Sequence, residues 1–331
     1  MELYGYFGRF LRRNEKTGES RFTLIVADKA KAAVCEGIIQ PYPRFTPIHV
    51  TGEPVSNEAQ KLIKAARVKA EGHDRDLMIR FMCSRAFRDI GPSYARAIIG
   101  YTGDDAFTYL EKHGIEGCMS AGLPVPDDAL SRTLKTIRGI ALFESLIESV
   151  TAYGGDYYNA ASLHAKYGDE STDVVTNNPY VLLYAGAPLS ACEKMAKEQR
   201  MEHCDRKRMK AVVAACMELN CRNGNTRTTF RRLCEMIRRT EEEAGGIYRS
   251  NPLFIAEELT GDSYHIEEDG DEVHVYRMEE FETEITISIS LSRLNRSAAE
   301  LSNDPSALPM IEQECGVEYS PDQRRAFGLL S

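Results

Sequence analysis

The sequence predicts a multidomain α+β protein: a small N-terminal β-barrel, a central helical region, and a C-terminal domain of helices closed by a β-hairpin. Three observations predict it. The first seventy of the 331 residues alternate β-branched and aromatic runs with turn signals. From about Arg75 to residue 240 the apolar residues recur at helical spacing. Beyond that, Asp269-Gly270 separates two short strand-like stretches, a strong hairpin signal. The length exceeds that of one typical domain, and the pattern divides it at 1–72, 73–200, 201–296 and 297–331.

In the barrel segment, strands are expected at Tyr4–Arg13, Arg21–Ala27, Ala32–Ile39, Thr46–Gly52 and Lys61–Ala70. Asn14–Gly18 and Pro41-Tyr42-Pro43 supply two of the turns. Five short strands in this length suit a small closed barrel of oligonucleotide-binding (OB) type. Next, Leu77, Ile79, Phe81, Met82, Ala86 and Phe87 give a helix an apolar face, and a turn follows at Asp89–Pro92. A second helix runs through Tyr94, Ala95, Ile98 and Ile99. Breaks are expected at Gly114–Pro126, Tyr153–Asp156 and Asn177–Pro188. Asn251-Pro252 opens another helix, strands follow at Ser263–Glu267 and Glu272–Arg277, and Thr283–Leu294 is one more ordered element. Helices followed by a hairpin over Arg206–Arg277 is the order of a winged-helix-like domain, and Ser297–Pro309 reads as a linker.

Composition narrows the function classes. Met1–Arg13 has no apolar run of signal-peptide length. The longest charge-free stretch, Val174–Cys192, is broken by Asn177, Asn178, Pro179 and Pro188, so no membrane span is expected and the chain reads as cytoplasmic. Nine scattered cysteines without a Cys-x-x-Cys pair read as reduced thiols. His203, Cys204, Cys216 and Cys221 fit no standard zinc spacing, and no metal is expected. The net charge of −9 hides an asymmetry: Arg206–Arg239 holds ten Lys/Arg against two acids, and Glu241–Glu284 holds fifteen acids against two Arg. A basic face can therefore coexist with an acidic average.

The sharpest local signal is Phe87-Arg88-Asp89-Ile90-Gly91-Pro92-Ser93-Tyr94-Ala95-Arg96, which matches a helix-hairpin-helix. Such a bend aims main-chain amides at the start of the second helix outward, where they can hold a phosphate. Pro92 suits the first helical position and Ala95 keeps the helices close. The phosphate-binding candidates are Arg88, Ile90, Gly91, Ser93, Tyr94 and Arg96. Contacts of this kind position a strand without reading its sequence. Asp89 stands where the usual hairpin has a first Gly, and its charge opposes a phosphate. Gly186, in Gly186-Ala187-Pro188-Leu189, is a further candidate, although Pro188 removes an N–H donor. A bend near Ala121-Gly122-Leu123-Pro124 is poorly formed. Arg231, Arg232, Arg238 and Arg239 recur two turns apart on one helix, either as a phosphate-tracking stripe or as a solvated face paired with Glu241–Glu243.

Taken in order, these motifs resemble the N-terminal half of the RecD-like helicases of superfamily 1. The resemblance includes the Asn14–Gly18 turn, the Asp89–Pro92 hairpin and Tyr167-Gly168-Asp169. It continues through Asn178-Pro179-Tyr180, then Gly224-Asn225-Thr226, where the family has Gly-His-Thr, and ends at Tyr319–Ala326. It implies DNA as partner, single-stranded or forked, together with the helicase's own motor domains. It implies that Gln323 contacts the adenine of ATP in the parent enzyme, with ATP and Mg²⁺ as cofactors there and none in this chain. No Gly-Lys dipeptide occurs, so the phosphate-binding loop of such a motor cannot form within these residues. The stop at Ser331 is expected to be a cut just before that loop, and no ATPase or helicase activity is expected from the chain alone. Two alternatives remain open. One is a stand-alone interaction module docking a basic partner through the acidic 241–284 segment. The other is a DNA-modifying enzyme using Asp127 after Pro124-Val125-Pro126.

Overall fold

A computed structural model describes residues 1–26, 32–57, 60–201, 206–246, 248–298, 308–316 and 318–329. The chain divides into two compact units, one of 1–215 with 237–250 and one of 216–236 with 251–331.

The first unit begins with five strands, β1 (Glu2–Arg13), β2 (Glu19–Val26), β3 (Ala32–Ile38), β4 (Pro47–Asn57) and β5 (Gln60–Ala70), closed into a barrel of order β1-β2-β3-β5-β4. All neighbours are antiparallel except β3 and β5, which run parallel with Cys35 opposite Ile63. Period-two alternation sends Phe7, Phe22, Leu24, Cys35, Ile48, Val50 and Ile63 into the barrel core. A register shift between Phe7 and Phe10 bends β1. Closure leaves no long exposed edge for strand-to-strand association.

Helices follow: α1 (Arg75–Met82), α2 (Pro92–Thr102), α3 (Ala106–His113), α4 (Glu116–Ser120), α5 (Asp127–Ala152), α6 (Tyr157–Tyr167), α7 (Ser171–Asn177), α8 (Val181–Tyr184), α9 (Leu189–Glu198) and the start of α10 (Arg206–Arg222). Helix α5 is the longest, and its buried face of Leu130, Leu134, Ile137, Ala141 and Leu146 is continuous with the helical core. It is also tied to the barrel. Gln40 Nε2 donates to the Ile140 carbonyl at 2.9 Å. Tyr42 Oη and the Ala70 amide both donate to Glu144 Oε1. Arg67 grips Glu148 through two nitrogens at 2.6 and 2.8 Å. Burial pushes the Glu144 carboxyl up to about 7, against the lowering effect of those hydrogen bonds.

The Asn14–Gly18 turn also docks on the helices. Asn14 Oδ1 accepts from the Lys16 and Thr17 amides, as expected of an Asx turn. Gly18 has φ +70°, and a Cβ there would lie 2.6 Å from the Tyr157 ring of α6, so glycine is required on both counts. The four cysteines 35, 118, 192 and 216 are buried, and burial alone raises the Cys35 thiol to about 12.

One polar network lies deep in this unit. Arg208 on α10, 3% exposed, pairs with Glu193 at 2.8 Å and with Glu241 of α11 (Phe230–Glu243) at 3.1 Å. Ser250 closes the network by donating its amide and hydroxyl to Glu241. The contrast between the basic 206–239 and acidic 241–284 segments is thus partly consumed internally.

In the second unit the end of α10 leads through Gly224 to β6 (Arg227–Thr229), the start of α11, α12 (Pro252–Leu259), and the hairpin β7 (Tyr264–Asp269) and β8 (Glu272–Arg277). The sheet is antiparallel with order β6-β8-β7. Gly270 turns the hairpin at φ +63°, and Asp269 faces Glu272, as Asp-Gly predicts. Leu233, Ile255, Leu259, Tyr264, Val275 and Tyr276 form its core. The element expected at Thr283–Leu294 is helix α13 (Met278–Ala298). Helices α14 (Leu308–Cys315) and α15 (Pro321–Leu329) follow, and residues 299–307 of the expected linker lie outside the described residues.

Candidate nucleic-acid interface

The α1–α2 bend is built on a packed base. Phe81 and Phe87 meet edge to face at 4.8 Å, and Phe87, Ile90, Ala95, Ile98 and Ile99 are buried. Ile90, 6% exposed, therefore belongs to the core, and only its main chain remains as a candidate phosphate contact. Asp89 takes φ +67°, the left-handed conformation that the usual glycine would supply. Aspartate is among the few residues that tolerate it. Its carboxylate, the feature that opposes an anion, lies 3.4 Å from Arg132 of α5, although both side chains are largely exposed and the pair is weak.

Gly91 is the N-cap of α2 at φ −89°, ψ 172°, with no side-chain cap, and Pro92 at the first helical position has no N–H. The amides of Ser93 and Tyr94 are the ones an N-cap side chain normally satisfies. Among the described residues no side chain takes them. Ser93 is exposed, Gly91 and Tyr94 are half-buried, and Arg88 and Arg96 are exposed. A Cβ at Gly91 would meet nothing within 4 Å. The bend is neither sealed in the interior nor capped.

The α8–α9 bend repeats this backbone. Gly186 has φ +84°, Ala187 is 5% exposed, and Pro188 is an extended N-cap without a side-chain cap. Left-handed, buried, extended, then helix: the series matches Asp89-Ile90-Gly91. The α4–α5 bend does not. Four residues separate left-handed Gly122 from α5, whose first turn carries Asp127 and Asp128, a poor setting for an anion. The α5–α6 bend is closed differently. Asp156 accepts from the Asn159 amide at 2.9 Å, and Asn159 accepts from the Asp156 amide at 2.8 Å, so a full capping box satisfies that helix start.

The other candidates lie on other elements, α11 and α15. Arg231 is 91% exposed and lies 3.6 Å from Glu235. Arg232 is exposed, and Arg238 pairs with Glu242 at 2.7 Å. Both pairs are i,i+4 helix partners of the solvated-face kind. Gln323 and Ser320 cap α15 reciprocally, each accepting from the other's amide. Of the residues weighed as metal ligands, His203 and Cys204 lie outside the described residues. Among the described residues no group of three metal-ligating side chains forms, and no helix is long and apolar enough to cross a membrane. Two features escaped the sequence reading. The left-handed Asp89 had a signal in Asp's turn chemistry, whereas an aromatic cluster at Tyr6 and Phe45, described below, had none.

No curated protein matches the chain. Residues 141–227 match the family described as ATP-dependent RecD2 DNA helicase HHH domain. That span runs from the second half of α5 through α10 to the start of β6. It includes the capped α5–α6 bend and the Gly186 bend, and it excludes Arg88–Arg96. Over residues 141–227, then, the chain is similar to the helix-hairpin-helix domain of the RecD2 DNA helicases.

Proposed function

We propose that this chain is a DNA-binding accessory region of a RecD2-type helicase that holds the phosphate backbone without reading sequence. The family match over residues 141–227 carries the proposal. It is supported by the open amides of Ser93 and Tyr94 at the α2 start and by the same backbone at Gly186. Phosphate bound there is stabilised by the partial positive charge of a helix start, with Arg88 and Arg96 adding cations beside the first bend. The partner is single-stranded or forked DNA, delivered to the helicase's own motor. ATP and Mg²⁺ belong to that motor, where Gln323 would contact adenine.

The closed barrel with parallel β3 and β5 is in keeping with an oligonucleotide-binding fold. The order helix, strand, helix, helix, hairpin is in keeping with a winged helix. DNA contact is assigned to the bends and not to this winged unit. Its third helix, α12, carries Glu257 and Glu258 with no cation, and its hairpin carries Glu267, Glu268, Asp269, Asp271 and Glu272. Leu253, 70% exposed, and Phe254, 46% exposed, favour a second role for this surface, docking a basic protein partner.

One titration tests both parts. Binding of labelled DNA should weaken by about two to three orders of magnitude between about 50 and 200 mM salt if some five phosphates are neutralised. Gly91→Val fits the fold, because its site is open, and should weaken binding by obstructing the backbone's approach; Arg96→Ala should weaken it less. Leu253→Asp/Phe254→Asp should bind DNA as the unmodified chain does. Salt-independent binding, or equal affinity for Gly91→Val, Arg96→Ala and the unmodified chain, overturns the phosphate assignment. Weaker DNA binding by the Leu253/Phe254 variant overturns the division of roles.

A further inference from the structure

A second surface of the first unit carries aromatic rings and free cations. Tyr6 lies on the outer face of β1, since its neighbours Gly5 and Phe7 are buried. Its ring centroid is 5.5 Å from that of Phe45, in the β3–β4 connection, and both residues are half-buried. The Arg44 guanidinium lies over Phe45 at 4.9 Å, and that of Arg80, from α1, lies over Tyr6 at 5.6 Å. Both arginines are exposed, and among the described residues neither has an ion-pair partner. They differ in this from Arg67, Arg132, Arg231 and Arg238, which face carboxylates.

Phe45 is also held in an unfavourable backbone state, with φ +72°. A bulky side chain in the left-handed region is a genuine outlier and persists only where its surroundings over-determine it. Here the Phe45 amide donates to the Phe7 carbonyl at 2.9 Å, and Phe7 donates to the Thr46 carbonyl at 2.8 Å. Thr46 Oγ1 donates to the Pro43 carbonyl at 2.7 Å. Glycine would take this conformation without strain, yet the position carries a ring. The cluster has one acidic boundary. Tyr4, two residues before Tyr6 on the same face, stacks between His49 and His73, and Glu71 lies 3.2 Å from His49. Phosphate is therefore favoured only at the Tyr6–Phe45 end.

Half-exposed rings flanked by unpaired guanidinium groups are the chemistry of single-strand recognition, in which bases stack and arginines meet phosphates. We infer that Tyr6, Phe45, Arg44 and Arg80 form a stacking platform for unpaired nucleobases, separate from the phosphate-binding bends. This rests on the DNA-binding function proposed above and adds to it a site that distinguishes single strands from duplex, because paired bases cannot splay onto a ring.

The chain contains no tryptophan, so Tyr6→Trp installs a single indole reporter in the platform. Oligothymidine should quench its emission saturably, and a duplex of equal length should not. Phe45→Gly removes the ring and relieves the backbone, so its thermal stability should not fall. Its affinity for oligothymidine should drop about tenfold while duplex affinity stays constant. Arg44→Ala/Arg80→Ala, changed only at exposed residues, should act in the same direction. Unquenched emission together with unchanged oligothymidine affinity in both variants overturns the platform and leaves the bends standing. Equal losses for single strand and duplex overturn it as well. No DNA binding by the unmodified chain overturns the platform and the bends together.

Discussion

The α1–α2 and α5–α6 bends have nearly the same outline and opposite chemistry. Each places a left-handed residue, Asp89 or Gly154, just before an extended N-cap. At the second, Asp156 and Asn159 spend their side chains on the amides of α6, and α5 itself is fastened to the barrel through Glu144 and Glu148. At the first, Gly91 has no side chain to offer, Pro92 has no N–H, and the helix start has no side-chain cap for the Ser93 and Tyr94 amides. A helix start can hold an anion only when the fold has not already satisfied it. The difference between a capped bend and the bend proposed to bind phosphate is thus one capping side chain.

The largest expected effect tests how firmly α5 is fastened. The Glu144 carboxyl titrates near about 7 in the folded chain, above its ordinary 4.5, because burial penalises the anion. Its contribution to stability is complete below about pH 4.5 and is lost as pH rises through 7, by at most about 3 kcal/mol. Denaturant midpoints measured from pH 5 to pH 8 should fall, and Glu144→Gln should flatten the fall, since an amide still accepts from Tyr42 and Ala70 but cannot ionise. Parallel pH profiles for the two proteins would release α5 from this account.

Next is an exchange of chemistry between the bends. Gly91→Asp supplies the missing cap and places a carboxylate where the phosphate would sit. DNA affinity should fall about tenfold or more, roughly 1.4 kcal/mol, while thermal stability rises by a few tenths of a kcal/mol. Movement of both quantities in the same direction would mean that capping and binding are not in competition there. The smallest effect is the converse. Asp156→Ala should cost about 1 kcal/mol of stability in a denaturation curve and leave DNA affinity unchanged, because its amides are turned to their own cap. A loss of DNA affinity in Asp156→Ala would erase the contrast between the bends.

Much of this is legible in the sequence. The five strands lie within a few residues of their β-rich runs, since period-two alternation follows from which faces must be buried. Asn251-Pro252 starts α12 with an Asn251 cap and Pro at the first position, as local chemistry requires. Thr283–Leu294 was harder. Ile285, Ile287, Ile289 and Leu291 alternate as in a strand, yet they lie on helix α13 and are exposed. The basic run of 206–239 reads as a surface stripe in one dimension, but Arg208 is buried between Glu193 and Glu241. No spacing rule announces a partner thirty-three residues away.

By itself the sequence determined most kinds of element and their order, because periodicity, caps and turn residues act over a few neighbouring positions; it missed the short α4 and α8, which lie in stretches read as breaks, and the short β6. It also determined where a phosphate-binding bend was possible, through Asp89-Ile90-Gly91-Pro92. Only the tertiary structure decided which helix start stays open, which arginines remain unpaired, and that Tyr6 meets Phe45 on the outer face of the barrel. Exposure and pairing are set by residues distant in the chain, and a local pattern carries no record of them.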